Sequence, residues 1–177
     1  MKQVYVIRHA NWDLQNDKLT AETSQKCLEF KKRLGDFDLV FSSNFGRAIE
    51  TARLLSGKEP VIDNRAGILK MSDETAKKIT ALRQNHPLGV VGVLFSFSEN
   101  IEALQNVGSG LCSLIKEVFL KLPKNGKALV VSHDGTMVSC EKILKNESFA
   151  SVDKTYGGLE GFLVDEQMKI NSWVTKL

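Results

Sequence analysis

Two apolar runs in this sequence each end on a histidine. Val4-Tyr5-Val6-Ile7 leads into Arg8-His9, and Ala128-Leu129-Val130-Val131-Ser132 leads into His133. Both are short, continuous and rich in β-branched residues, the pattern of strands covered on two faces rather than one. A third run, Asp38-Leu39-Val40-Phe41, passes into Ser42-Ser43 with Arg47 close behind. Strands of this kind need helices packed on either side. The expected class is therefore α/β, with a mainly parallel central sheet flanked by helices on both faces. In such sheets the chemistry collects at the carboxyl ends of the strands. Three strand tips bearing histidine, histidine and serine-then-arginine can meet on one edge.

The intervening segments supply the helices. Residues 19–34 space Cys27, Leu28, Phe30 and Leu34 helically, with Thr20 as N-cap and Gly35 as stop. Residues 46–55 read as a helix ending at Gly57, and Val61-Ile62 as a brief strand. Residues 75–85 look helical and are closed by Pro87. The strongly apolar residues 88–97 fit a strand or a buried loop equally well. A long helical pattern follows over residues 100–122, weakened in its middle by Gly108 and Gly110. Residues 138–144 are helical, and residues 162–164 and 170–174 form a hairpin about Asp165-Glu166-Gln167. With neither repeats nor linkers, residues 1–177 are expected to form one domain.

Charge narrows the function. The 177 residues carry a net charge of only +3, with acidic and basic residues interleaved. That is too mild to argue for nucleic acid, so no nucleic-acid partner is expected, and it suits an enzyme collecting small phosphorylated substrates or phosphoproteins. The one basic cluster, Lys26 to Arg33, reads as a solvated helix face. No apolar run is long enough to span a bilayer. The opening Met1-Lys2-Gln3 enters a strand with no signal-peptide pattern, so the expected location is cytoplasmic. Cys27, Cys112 and Cys140 form no C-x-x-C pair and are expected as buried thiols in a reducing compartment. The sequence carries no signal for an oligomeric state.

Four residues at the strand tips suit phosphoryl transfer: Arg8, His9, Arg47 and His133. That reaction needs an in-line nucleophile and fixed positive charge around the phosphorus oxygens. Guanidinium pairs bidentately with phosphate and stays charged, and a neutral imidazole can attack phosphorus. His86 precedes Pro87 in a loop and reads as structural. Zinc is disfavoured for want of H-x-x-x-H or Cys/His spacing, and no metal or organic cofactor is expected.

The same segments carry a resemblance. Arg8-His9-Ala10 is similar to the Arg-His-Gly opening motif of the histidine phosphatase, or phosphoglycerate mutase-like, superfamily. Leu19-Thr20 with Gln25-Lys26-Cys27, then Ser42-Ser43, Arg47-Ala48 and Thr51-Ala52, then the block from Ala128 to Gly135, resemble further family blocks in the right order. The resemblance implies a phosphoglycerate mutase-like fold and a phosphomonoester hydrolase. His9 would form a phosphohistidine that water hydrolyses, and Arg8, Arg47 and His133 would bind the phosphate. Asn11 falls near a position that often contacts phosphate in the family. Ser42 and Ser43 would position the turn carrying Arg47.

The departures matter as much. Where the family's proton-donating Glu stands, this chain has Ile68, and the family's G-E-S block is reduced to Ser98-Glu99-Asn100. A positioned acid is worth about 10²–10⁴-fold in rate, so its loss needs a substitute. Asp134, directly after His133, resembles the donor of the acid phosphatase branch; equally it reads as a turn or cap residue before a helix starting near Thr136. A substrate with an easy leaving group would need no acid, which gives a protein phosphohistidine phosphatase as one alternative. A non-catalytic member binding phospho-ligands or proteins is another. Specificity is expected from residues 11–18, where Trp12 could stack on a substrate or pack, and from residues 71–100.

Overall fold

The computed structural model describes residues 1–13 and 15–174. Strand β1 (Gln3–Arg8) is followed by a two-stranded ribbon, β2 (Trp12–Asp13) and β3 (Lys18–Leu19). Helix α1 (Ala21–Leu34), β4 (Leu39–Ser42), α2 (Gly46–Ser56) and β5 (Val61–Ile62) come next. Three helices follow, α3 (Asp73–Leu82), α4 (Gly89–Ser96) and α5 (Ile101–Lys121). The chain then runs through β6 (Lys127–Ser132), α6 (Asp134–Lys145), β7 (Gly161–Asp165) and β8 (Ile170–Val174). No helix among the described residues is long and apolar enough to cross a membrane.

The large sheet has the order β5-β4-β6-β1-β7-β8. Its first three pairings are parallel and the last two antiparallel. The terminal pair is the hairpin read from the sequence. Side-chain alternation sorts the two central strands between two cores. Val4, Val6, Ala128 and Val130 face a core shared with α4, α5 and α6. Ile7, Leu129 and Val131 face one shared with α1 and α2. That two-sided burial explains why β1 and β6 are nearly uninterrupted apolar runs.

The caps follow their chemistry. Thr20 Oγ1 accepts the Thr23 N–H at the start of α1, and Gly57 closes α2 in the left-handed region at φ +74°. Ser72 caps α3 in the same way as Thr20 caps α1, so that helix begins at Asp73, ahead of the expected residue 75.

Two expectations need correction. Residues 89–96 are neither strand nor buried loop but the helix α4, with Val91 to Phe95 buried. A helix covered nearly all round has no polar face, and its periodicity vanishes from the sequence. Helix α6 starts at Asp134 rather than near Thr136 or residue 138; its N-cap is the extended His133, which makes no side-chain capping bond.

Gly108 lies where α5 crosses α6. A Cβ there would stand 2.7 Å from the Ser139 carbonyl carbon and 2.9 Å from the Cys140 nitrogen, both backbone atoms that cannot swing away. At Gly110 the nearest atoms are Arg65 side-chain carbons at 3.8 Å. Alanine is the better helix former by about 1 kcal/mol, so the two sites should answer with opposite signs. Gly108→Ala is expected to lose about 2 kcal/mol net through overpacking, whereas Gly110→Ala is neutral or stabilising. Urea denaturation of both variants checks this, and equal effects would refute the close-crossing account.

Candidate active site

Register assembles the site before any side chain is considered. In the parallel β1–β6 pair Arg8 is opposite Ser132. The next residue of each strand, His9 and His133, therefore emerges side by side, with ring centroids 4.9 Å apart. The His9 N–H donates to the Ser132 carbonyl at 3.0 Å, and the Ser43 N–H donates to the Val131 carbonyl at 3.3 Å, which brings in the β4 tip. Helix α2 starts just beyond and places Arg47 in its first turn. Arg8, His9, Arg47, His133 and Asp134 thus line one pocket of about 250 Å³.

His9 is 3% exposed and its ring is held in one tautomer. Nδ1 lies 2.8 Å from the Ala10 carbonyl oxygen, which can only accept, so Nδ1 carries the hydrogen and Nε2 keeps the lone pair. Arg47 Nε–H donates to that Nε2 at 3.2 Å. The same guanidinium donates through Nη1 to Asp17 Oδ1 at 2.5 Å, and Nη2 lies 3.5 Å from His133 Nδ1. Its plane also sits over the Trp12 and Phe45 rings, with Cζ 4.6 Å from each centroid. On the far side of His133, Nε2 is 2.8 Å from Ser43 Oγ. Arg47 therefore orients both imidazoles at once.

Both histidines are strongly biased toward the neutral form. Burial, with the Arg8 and Arg47 charges adding to it, pushes His9 down to about 3. Burial, then His9 and the same two arginines, pushes His133 down to about 2. An unfolded histidine titrates near 6.5, so below that pH the unfolded chain takes up two protons that the folded chain refuses. Stability must then fall as pH drops through the window between about 6.5 and 3. A loss of order 3 kcal/mol between pH 7 and pH 5 is expected in urea denaturation. Unchanged stability over that interval would contradict the buried, neutral pair.

Arg8 is anchored from a different direction. Nη1 donates to the Tyr156 carbonyl at 2.7 Å, and Nε is 3.9 Å from Asp134 Oδ2. Nε itself is buried without a hydrogen-bond partner among the described residues. Asp134 accepts the Gly135 N–H at 2.8 Å and the Thr155 hydroxyl at 3.0 Å. It stands in the first turn of α6, where a carboxylate complements the helix dipole, while still facing the pocket.

Asn11, expected beside the phosphate, instead lines an adjoining cavity of about 380 Å³ with Thr23, Lys26 and Leu159. Ser42 turns its hydroxyl to the Ser43 carbonyl, and the Ser43 hydroxyl bonds the His133 ring. His86 is structural, accepting the Leu88 N–H and packing on Gly92. Ile68, 42% exposed, lines the pocket. Cys112 and Cys140, distant in sequence, are buried thiols 3.1 Å apart. Among the described residues no group of three His, Cys, Asp or Glu could hold a metal ion.

The sequence reading missed Asp17, which also accepts the Gly46 N–H at 2.7 Å and so ties the β2–β3 turn to the start of α2. It also missed Arg83, which lines the pocket from the end of α3. Trp12, expected to stack on a substrate or to pack, meets His9 edge-on at 4.8 Å and lines the pocket. Leu14, in the expected specificity loop, lies outside the described residues.

Known structures share this architecture. The chain is similar to phosphoserine phosphatase of Entamoeba histolytica in complex with 3-phosphoglyceric acid, with 18% identity over 99% of this chain and 98% of that one and a TM-score of 0.68. A mycobacterial glucosyl-3-phosphoglycerate phosphatase complexed with VO3 aligns with 14% identity over 97% and 96%, TM-score 0.68. Phosphoglycerate mutase of Bacillus anthracis aligns with 16% identity over 99% and 92%, TM-score 0.63. Identities this low establish the fold, which is phosphoglycerate mutase-like. No curated protein sequence matches the chain. The profile of the histidine phosphatase superfamily (branch 1) matches residues 4–155, and the chain belongs to that superfamily.

Proposed function

We propose that this protein is a phosphomonoester hydrolase that works through a covalent phosphohistidine at His9. The observation that carries the reading is the state of His9: its Nδ1 is pinned by the Ala10 carbonyl, and its Nε2 lone pair faces the guanidinium of Arg47. A structural histidine has no need of a buried lone pair aimed at a cation in a phosphate-sized pocket. Arg8, with an unsatisfied buried Nε, and Arg47, with its planar fork, supply the fixed charge for the equatorial oxygens.

A bound phosphate draws the Arg47 N–H groups to its own oxygens and frees Nε2. Nε2 then attacks phosphorus in line, the phosphorus–oxygen ester bond breaks, and the alcohol leaves with a proton. Water attacks phospho-His9 and gives a proton back to the acid that protonated the alcohol, while the phosphorus–nitrogen bond breaks to restore the neutral imidazole and release inorganic phosphate. His133 steadies the phosphoryl charge throughout, and the chain's own residues suffice for every step without a metal or organic cofactor. Asp134 is the carboxylate that lines this pocket and is the proton donor in this reading. As donor it hands its proton to the leaving oxygen as the ester bond breaks.

The test is inorganic phosphate release from p-nitrophenyl phosphate and from an alkyl phosphate, in the presence of a metal chelator. Asp134→Asn should slow the alkyl ester by about 10²-fold or more and the aryl ester much less. Absence of turnover on either substrate at any pH would overturn the hydrolase reading. A second reading, protein phosphohistidine phosphatase, is favoured by one observation: Ile68 puts a hydrocarbon where an acid would protonate a poor leaving group. Full activity of Asp134→Asn on a phosphohistidine peptide, with none on the alkyl ester, would select it.

A further inference from the structure

The pocket draws its positive charge from two places. Arg8 and Arg47 come from the sheet edge and are engaged, Arg8 by the Tyr156 carbonyl and Arg47 by Asp17 and both histidines. Arg83 comes from the end of α3 and is exposed, with neither ion pair nor hydrogen bond from its side chain among the described residues. Ile68, Leu69, Met71, Val90 and Leu94 give the same pocket a hydrocarbon wall. Ile68, Leu69 and Met71 continue into a neighbouring cavity of about 670 Å³, so the apolar surface extends beyond the space of a phosphate.

We infer that the substrate is a phosphomonoester with an apolar, ring-sized body and a second anionic group at its far end, read by Arg83. The inference rests on the hydrolase reading for the phosphate end of the ligand. The division of labour follows from the residues. The engaged arginines and His9 take the phosphoryl group, the wall takes the body by removing apolar surface from water, and a guanidinium free to turn takes the second anion. A short, fully polar phosphorylated acid would leave the wall unmatched. A neutral aryl phosphate would leave Arg83 unused.

The experiment compares 4-carboxyphenyl phosphate with 4-carbamoylphenyl phosphate, which match in size and differ in the distal charge, the carbamoyl phenol being the slightly better leaving group. Wild type should show kcat/KM about tenfold higher for the carboxylate, the size of one charge-assisted hydrogen bond. In Arg83→Met that preference should shrink to within about twofold. Binding is read separately by calorimetry with 4-carboxybenzylphosphonate, its carbamoyl analogue and phosphonoacetate, none of which can be hydrolysed. The carboxylated aromatic phosphonate should bind tightest, and phosphonoacetate, which holds both charges on a short chain, more weakly. Turnover without charge preference, or a preference that survives Arg83→Met, would overturn the inference and leave the hydrolase reading standing. Loss of all turnover with the phosphonate preference intact would do the reverse.

Discussion

His9→Ala is expected to lower kcat for p-nitrophenyl phosphate by at least about 10³-fold while leaving phosphate affinity within a few-fold. The expectation follows from what His9 does and does not touch. Its Nε2 is the lone pair through which a phosphoryl group would be held, whereas Arg8 and Arg47 are the cations proposed to bind the phosphate. In the proposed mechanism, removing the imidazole deletes the nucleophile without deleting the cradle. Arg47 keeps its bond to Asp17, and His133 keeps its contact with Ser43. Steady-state kinetics together with vanadate binding separate the two effects. A variant that lost binding and turnover in equal measure would show that His9 serves as a phosphate ligand and not as the attacking group.

Arg47→Ala should cost kcat/KM about 10²–10³-fold, the usual loss when one preorganised donor to a charged transition state is removed. Arg47→Lys is expected to recover little of it. A lysine offers one compact ammonium, whereas Arg47 uses Nε toward His9, Nη1 toward Asp17 and Nη2 toward His133, with its plane over Trp12 and Phe45. Arg47 is also one of the charges that hold both imidazoles neutral. Without it, both should titrate at higher pH, a direction that ring-proton NMR reads directly. A kinetic loss with unmoved histidines would mean that Arg47 acts on substrate alone and not on the histidine pair.

Much of this was legible in the chain, and the reasons are local. Strands β1 and β6 announce themselves because burial on two faces demands unbroken apolar runs, and their histidines follow at the tips. Thr20, Gly35 and Gly57 mark helix ends because the cap geometry selects their side chains, or the lack of one. Helix α4 was illegible for the opposite reason. Its Gly-Val-Val-Gly-Val-Leu-Phe-Ser sequence is poor in helix formers and has no polar face, so packing against its neighbours decides its conformation.

At the site, residues inside recurring blocks could be placed together, since register does the assembling. Asp17 and Arg83 could not. Each is one charge in a polar stretch, and its meaning comes from where the chain folds back: Asp17 reaches Arg47 at a sequence distance of 30, and Arg83 reaches the pocket from α3. Asn11 shows the converse. It directly follows the motif, yet its carboxamide turns toward Gly158 and the adjoining cavity. Sequence proximity to a catalytic residue says little about side-chain direction once the strand has ended.

The covalent intermediate is the centre of the account, and trapping it is the most direct measurement. Enzyme mixed rapidly with excess p-nitrophenyl phosphate is quenched in base, where phosphohistidine survives, and its intact mass and proteolytic fragments are read. A mass increase of one phosphoryl group is expected, confined to the fragment bearing His9, lost on acid treatment and absent from His9→Ala. Steady turnover with no phosphorylated enzyme at any time, or with the label on another residue, would contradict the mechanism.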